Sequence, residues 1–150
     1  MDYDIVSNSP HETIETGTRI GRQLKGSEVV AVCGALGSGK THLIKGIARG
    51  AGIENYEHVN SPTFVMVNEY TASSGLDIYH VDAYRLGSLE EFEMLGFDDF
   101  CYSHSVVLIE WADKIEPALE GIDYIRAELA HSGKSRRNIR LENLPGHIVL

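Results

Sequence analysis

Gly34-Ala35-Leu36-Gly37-Ser38-Gly39-Lys40-Thr41 is the stretch that decides how this chain is read. It has the spacing G-x-x-x-x-G-K-T of a phosphate-binding loop. The glycines admit backbone conformations that a Cβ would forbid, so successive N–H groups can turn toward one anion. Lys40 adds a mobile positive charge able to reach β- and γ-phosphates. Thr41 places a hydroxyl, suited to Mg²⁺, at the entrance of the following helix, whose positive end also favours an anion.

The flanks supply the context that the motif requires. Val29-Val30-Ala31-Val32-Cys33 is a short apolar run of the kind that forms a buried parallel strand. Beyond the loop, Leu43, Ile44, Ile47 and Ala48 share one helical face, and Gly50 and Gly52 offer a stop. Strand, loop and helix together are the signature of a P-loop NTPase.

Bulk properties narrow the classes. A chain of 150 residues is expected to form a single domain, residues 1–150, and its 43% apolar content is ordinary for a globular protein. No apolar run approaches the roughly 20 residues of a membrane span, and the acidic N-terminus does not read as a signal peptide. Cys33 and Cys101 have no metal-ligand spacing, so a reducing, cytoplasmic setting is expected. The net charge of −9 argues against a broad nucleic-acid surface of the chain's own. It leaves open a nucleic-acid pathway in which a partner holds the RNA.

Upstream of the loop, Tyr3 to Ser7 reads as a short edge strand. Ser9-Pro10-His11-Glu12 opens a helix with a capping box and a proline at its first position. That helix is predicted to run to about Leu24, with Ile14, Gly17, Gly21 and Leu24 inward and Gly26 ending it. Downstream, Ser61-Pro62-Thr63-Phe64 follows a polar connection. Thr63 reads either as a turn residue entering a strand or as a switch-like hydroxyl for Mg²⁺ or a γ-phosphate. Phe64 to Thr71 and Leu76 to Asp82 are predicted to form a hairpin around Ala72-Ser73-Ser74-Gly75. A second capping box, Ser88-Leu89-Glu90-Glu91, opens a helix with Phe92 and Leu95 inward and Gly96 at its end.

Val106-Val107-Leu108-Ile109-Glu110-Trp111 carries four apolar residues straight into a carboxylate. That is the form of a Walker B strand, which sets its acid beside the phosphate loop. Asp82 ends an apolar-rich strand too and competes for the same work. The assignment adopted is Glu110 to the metal and Asp82 to the attacking water or the second shell of the metal, an order that the sequence leaves open. The last third is predicted as a helix from Ala112 to Leu119 broken at Pro117, a strand from Asp123 to Ala130, a turn at His131-Ser132-Gly133-Lys134 and a strand from Arg136 to Leu141. Gly133-Lys134-Ser135 mimics the tail of a second phosphate loop but lacks the first glycine. His80 and the other six histidines have no metal-ligand pairing and read as surface or packing residues.

Taken together, S-P-T-F at 61–64, N-E-Y at 68–70, D-A-Y-R-L at 82–86, I-E-W at 109–111 and the phosphate loop give the chain a specific likeness. It resembles the TsaE family, formerly YjeE, small bacterial ATPases of the tRNA threonylcarbamoyladenosine pathway. The likeness covers nearly the whole chain and includes Thr13. It implies an α/β, P-loop NTPase-like three-layer fold with a central mixed, partly antiparallel sheet. It further implies weak ATP hydrolysis that becomes useful with TsaD-like and TsaB-like partners, which modify adenosine 37 of tRNA, so that tRNA is met only through the complex. Carried across, Gly37, Ser38, Gly39 and Lys40 bind phosphates, Thr41 and Glu110 bind Mg²⁺, and Asp82 supports hydrolysis. Thr63 is switch-like and Trp111 belongs to the functional surface. The adenine is expected between the segment near His11 and the turn at Lys134. Ala35 departs from the acidic residue common after the first loop glycine, at a point where backbone groups do most of the binding.

Two rivals stand beside this reading. A small-molecule kinase shares the loop and the size but needs an arginine-bearing lid, for which Arg126, Arg136, Arg137 and Arg140 are the candidates. A regulatory module would use bound nucleotide only to control docking. A GTPase is disfavoured because no N-K-x-D guanine motif occurs and Arg85 stands where D-x-x-G needs glycine.

Overall fold

The computed structural model of the protein describes residues 1–60 and 67–150. Its elements in chain order are β1 (Tyr3–Ser7), α1 (Pro10–Gly21), β2 (Val29–Gly34), α2 (Lys40–Ala51), β3 (Val67–Thr71), β4 (Asp77–Asp82), α3 (Leu89–Met94), α4 (Phe97–Phe100), β5 (Ser105–Glu110), β6 (Ile125–His131) and β7 (Arg137–Glu142). Short 3₁₀ turns lie at Tyr56–His58, Ala112–Lys114 and Glu116–Leu119.

The seven strands form one sheet in the order β1-β7-β6-β2-β5-β4-β3. The middle is parallel: β2 pairs with β5 and β6, and β4 pairs with β5. Both edges are antiparallel, through β7 and β1 on one side and β3 on the other. This is the mixed sheet that the family likeness implies, with the Tyr3–Ser7 strand at one edge.

The apolar runs of β2 and β5 are buried on both faces, which is why they carry no polar alternation. Val30, Val32, Val106 and Leu108 face one core with Leu43, Ile44 and Ile47 of α2. Val29, Ala31, Val107 and Ile109 face the other, with Phe92, Phe97, Ile115 and Leu119. The sheet is therefore the middle of three layers. Each such Ile or Leu contributes about 1.5–3 kcal/mol on burial.

Helices α1 and α2 pack backbone to backbone. A Cβ on Gly17 would lie 2.4 Å from the Leu43 carbonyl oxygen, and one on Gly46 would lie 2.2 Å from that of Ile14. The glycines thus set the spacing that brings the start of α1 over the phosphate loop.

Both predicted caps form. Ser9 Oγ accepts from Glu12 N at 3.1 Å, and Ser88 Oγ accepts from Glu91 N at 3.2 Å. Helix α2 ends at Ala51 with Gly52 at φ 104°, as its glycines predict.

Four boundaries differ from the sequence reading. Helix α1 stops at Gly21 rather than Leu24, because the Gln23 and Leu24 N–H groups bond only three residues back. The predicted helix over 112–119 is two 3₁₀ turns, since Trp111 enters at φ 60° and Ile115, at φ −129°, separates the first turn from the second, which has Pro117 in its opening positions. The last two strands begin at Ile125 and Arg137. The hairpin of β3 and β4 pairs Val67 with Val81 and Thr71 with Asp77, so Leu76 belongs to its loop. The part of that hairpin expected at 64–66 lies outside the described residues, as does Thr63.

Candidate functional site

Parallel pairing puts the carboxyl ends of three strands side by side. Val32 lies opposite Glu110, and Asp82 lies opposite Glu110 on its other side. The loop between β2 and α2 emerges at this end, the position where open α/β sheets take ligands.

The loop has the conformation its glycines predict. Gly34, Gly37 and Gly39 have φ of 146°, 74° and 101°. At Gly34 a Cβ would also meet Leu129 O at 2.5 Å and Ser38 Oγ at 2.6 Å, so strand β6 closes the floor. Helix α2 begins at Lys40 with no side-chain cap among the described residues and no acidic residue in its first turn. Its N-terminal amides are thus suited to an external acceptor.

Lys40 is nearly buried. Its Nζ donates to Gly34 O and Ala35 O, each at 2.8 Å, and lies 3.7 Å from the centroid of the Trp111 ring. Burial lowers its pKa, while Glu110 and other nearby acids pull it back up. Trp111 can reach Lys40 because it leaves β5 at positive φ, which turns the ring across the mouth of the loop. Its other side meets Tyr84, with centroids 4.9 Å apart, and Lys114 covers Tyr84 in turn.

Glu110 is not a solvated strand end. It is buried, with Thr41 Oγ1 at 3.4 Å from both carboxylate oxygens and His80 Nε2 at 3.2 Å from Oε1. Asp82 is half-buried and accepts from Tyr84 N at 2.9 Å. Its pKa is raised, first by burial and against the lowering effect of the Tyr84 amide, with Glu110 adding to the rise.

A cavity of about 340 Å³ lies over the loop. Gly37, Ser38, Gly39, Lys40, Thr41, Glu110, Trp111 and Lys134 all line it, so the structure gathers eight of the sequence-predicted site residues in one place. Asp82 stands behind Glu110 and outside that lining, and His11 is exposed, with its neighbours Pro10 and Thr13 at the wall instead.

Two cavity residues were not foreseen at the phosphate loop. Arg137, named in the sequence only as a lid candidate for the kinase reading, lines the cavity and donates to Gly37 O at 3.2 Å from the hairpin of β6 and β7, a contact across 100 residues of chain that no local pattern signals. His42, whose pKa is lowered by burial and then by Lys45 and Arg137, sits at the wall beside Thr41. Among the described residues, Lys40, Lys134 and Arg137 face a single lining carboxylate, which gives a chain of net charge −9 a locally cationic basin. Of the arginines considered for a kinase lid, Arg126 is paired with Glu116, Glu128 and Glu142, and Arg140 with Asp4.

Chemically, the arrangement offers amides and cations for phosphate, and one hydroxyl with one carboxylate for a cation. Both are hard oxygen donors that suit Mg²⁺. Among the described residues no group of three or more His, Cys, Asp or Glu could hold a metal ion. Mg²⁺ is commonly held by one or two protein oxygens together with substrate phosphates, so the donor set fits it.

Sheet order, phosphate loop and site position define the class: an α/β protein of P-loop NTPase-like fold. The model of the family described as threonylcarbamoyl adenosine biosynthesis protein TsaE matches residues 7–139. The tRNA threonylcarbamoyladenosine biosynthesis protein TsaE of Treponema pallidum is 41% identical over 114 residues, covering 76% of this chain and 82% of its own. That of Bacillus subtilis is 36% identical over 131 residues, covering 87% and 79%. The crystal structure of Bacillus subtilis YdiB superposes with a TM-score of 0.71 at 26% identity, covering 99% of this chain and 89% of that one. The chain belongs to the TsaE family, which is involved in tRNA threonylcarbamoyladenosine biosynthesis.

Proposed function

We propose that this chain binds ATP with Mg²⁺ and hydrolyses it as one component of the tRNA threonylcarbamoyladenosine machinery, resetting a complex of TsaD-like and TsaB-like proteins. The observation that carries this reading is the facing pair of Thr41 and Glu110 at a glycine loop and a helix start that, among the described residues, has no side-chain cap. The family membership supplies the pathway, and tRNA enters through the partners. A cytoplasmic location goes with that pathway. Among the described residues no helix is long and apolar enough to cross a membrane.

The chain's own residues divide the work. The amides of Gly37, Ser38 and Gly39 and the first turn of α2 take the phosphates. Lys40 exchanges its two carbonyl partners for phosphate oxygens. Thr41 and Glu110 hold the cation or its water, and Mg²⁺ when bound neutralises the charge of the β- and γ-phosphate oxygens. Asp82, held by the Tyr84 amide, orients the attacking water through the Glu110 end of the sheet. Pro10, Thr13 and Lys134 bound the base.

One contact favours a second reading, in which nucleotide controls docking. Lys40 Nζ meets Gly34 O, Ala35 O and the Trp111 ring at once, and Trp111 is packed on the half-exposed Tyr84. Nucleotide would then alter a surface as well as a site. Turnover of ATP measured alone and with TsaB-type and TsaD-type proteins, with and without Mg²⁺, tests both. Mg²⁺-dependent turnover that rises with the partners is expected. Nucleotide-dependent association with no turnover under any condition would leave only the docking reading.

A further inference from the structure

His80 is wholly buried at the centre of β4, yet its two ring nitrogens are treated differently. Nε2 lies 3.2 Å from Glu110 Oε1. Nδ1 is buried with no hydrogen-bond partner among the described residues. With Glu110 as the carboxylate that a cation site needs, it only accepts, and the contact then puts the proton on Nε2. A histidine kept for packing alone would be a poor choice here. Leucine fills similar space and leaves no buried polar atom without a partner, a situation that costs stability.

The neighbouring geometry says what the ring supplies. The terminal torsion of a glutamate is soft and roughly two-fold, so packing of the aliphatic stem does not fix which oxygen faces which way. Thr41 Oγ1 is 3.4 Å from both oxygens and does not discriminate between them. His80 Nε2 touches Oε1 and is held by β4, a strand paired on both sides, two positions before Asp82. Among the described residues it is a rigid contact that breaks the symmetry.

We propose that His80 is a positioning residue that fixes the rotation of the Glu110 carboxylate, so that the Thr41–Glu110 pair is set for a divalent cation before one arrives. The inference rests on the ATP and Mg²⁺ reading of the site and adds a residue to it. Its consequence is selective. Removing the Nε2 donor weakens the cation's response and leaves the phosphate loop's own hold on nucleotide intact, because the loop's conformation rests on its glycines and on β6 rather than on His80.

Glutamine and leucine at position 80 make a matched pair, since the glutamine amide can occupy the place of Nε2 and leucine offers no donor. The chain has a single tryptophan, Trp111, which lies against Lys40 and reports on the loop through its fluorescence. Mg²⁺ is titrated at fixed non-hydrolysable ATP analogue, and the analogue is titrated separately without Mg²⁺. His80→Leu is expected to raise the Mg²⁺ midpoint about tenfold, the weight of one hydrogen bond to a charged acceptor. Its Mg²⁺-free affinity should stay within about twofold, and His80→Gln should restore the midpoint to within about threefold. If His80→Leu does not fold, His80→Asn replaces it, because its shorter amide reaches the Nδ1 position and not Glu110; the same tenfold rise is expected. A wild-type midpoint in the donor-less variant overturns the proposal, as does an equal shift in His80→Gln, which would mark a packing effect. Wild-type protein that binds the analogue with no Mg²⁺ response at all overturns the metal reading itself, and the positioning role falls with it.

Discussion

Replacing Glu110 by glutamine is the perturbation that most sharply tests the site. The change is nearly isosteric. The amide oxygen can still accept from His80 Nε2, and the amide nitrogen can donate to Thr41 Oγ1, so the contacts at 3.2 and 3.4 Å survive in kind. Stability should move by less than about 1 kcal/mol, because these partners keep a donor or acceptor opposite them. What disappears is the charge. Among the described residues Glu110 is the only carboxylate in the cavity lining, and it is the acid that does most to raise the pKa of Lys40 against burial. Without it the proposed cation site would lose its carboxylate, and Lys40 loses the acid that most favours its charged form.

Loss of one charge-bearing ligand is expected to slow Mg²⁺-dependent turnover by tenfold or more, about 1.4 kcal/mol of barrier. Nucleotide affinity should fall less, since loop amides and the helix start are untouched. Asp82→Asn is the companion. Asp82 accepts from the Tyr84 amide and stands outside the cavity lining, so its loss should slow turnover with little change in the Mg²⁺ midpoint. The assay is a Mg²⁺ titration of ATP turnover in both variants with the partner proteins present. A normal midpoint in Glu110→Gln with a shifted one in Asp82→Asn would reverse the two roles. Normal rates in both would remove both acids from the chemistry.

Three further outcomes are expected. Lys40→Ala removes a side chain that, among the described residues, donates to two loop carbonyls and Ser38, so the fold should persist while nucleotide affinity falls by about tenfold to a hundredfold; unchanged affinity in a calorimetric titration refutes the loop's role. Gly46→Ala would put a methyl 2.2 Å from the Ile14 carbonyl oxygen, forcing α1 off α2 at a cost of about 2 kcal/mol; a melting temperature equal to wild type would mean that the helix spacing is soft. The Cys33 thiol is pushed up to about 12 from 9.0 by burial and by donating to Glu116, so its contribution to stability is present below pH 9 and lost as pH rises toward 12. Iodoacetamide at pH 8 should therefore label Cys33 only through unfolding, and rapid labelling of Cys33 in the native protein, read by peptide mapping apart from the exposed Cys101, refutes the assignment.

Much of the frame was legible because it rests on local signals. A five-residue apolar run, a glycine loop and a helical stripe are each written within a few residues, and β2, the loop and α2 match them directly. The Ser9 and Ser88 caps are local in the same sense. The antiparallel pairs β3–β4 and β6–β7 are hairpins and were local too, whereas pairing β1 with β7 joins the two ends of the chain and no window of sequence contains both. The boundaries that moved at Gln23 and Leu24, and at the 3₁₀ turns over 112–119, did so for a common reason. These segments are helical in composition but bonded three residues back. Composition does not distinguish that tighter turn from an α-helix.

The site divides along the same line. The residues that the loop motif names from Gly37 to Thr41 line the cavity, because the motif is itself a geometric object. Residues brought by other elements were harder: Arg137 reaches Gly37 only after β7 has paired with β6, and His42 is drawn in by the first turn of α2. His80 is the instructive case. A histidine without metal-ligand spacing reads as packing, and this one is indeed fully buried. The usable signal was periodicity. Side chains two apart on a strand share a face, so His80 and Asp82 had to point the same way from β4. Parallel pairing then sets that face beside the end of β5. Asp82 lies opposite Glu110 in register, while the Glu110 carboxylate leans back along the strand to His80. The two acids whose roles the sequence leaves open differ in reach. Glu110 meets Thr41 and the histidine, and Asp82 meets its own backbone turn at Tyr84. An alternation of two along one strand and the register of its neighbour are enough to explain that difference, and neither requires a ligand to be present.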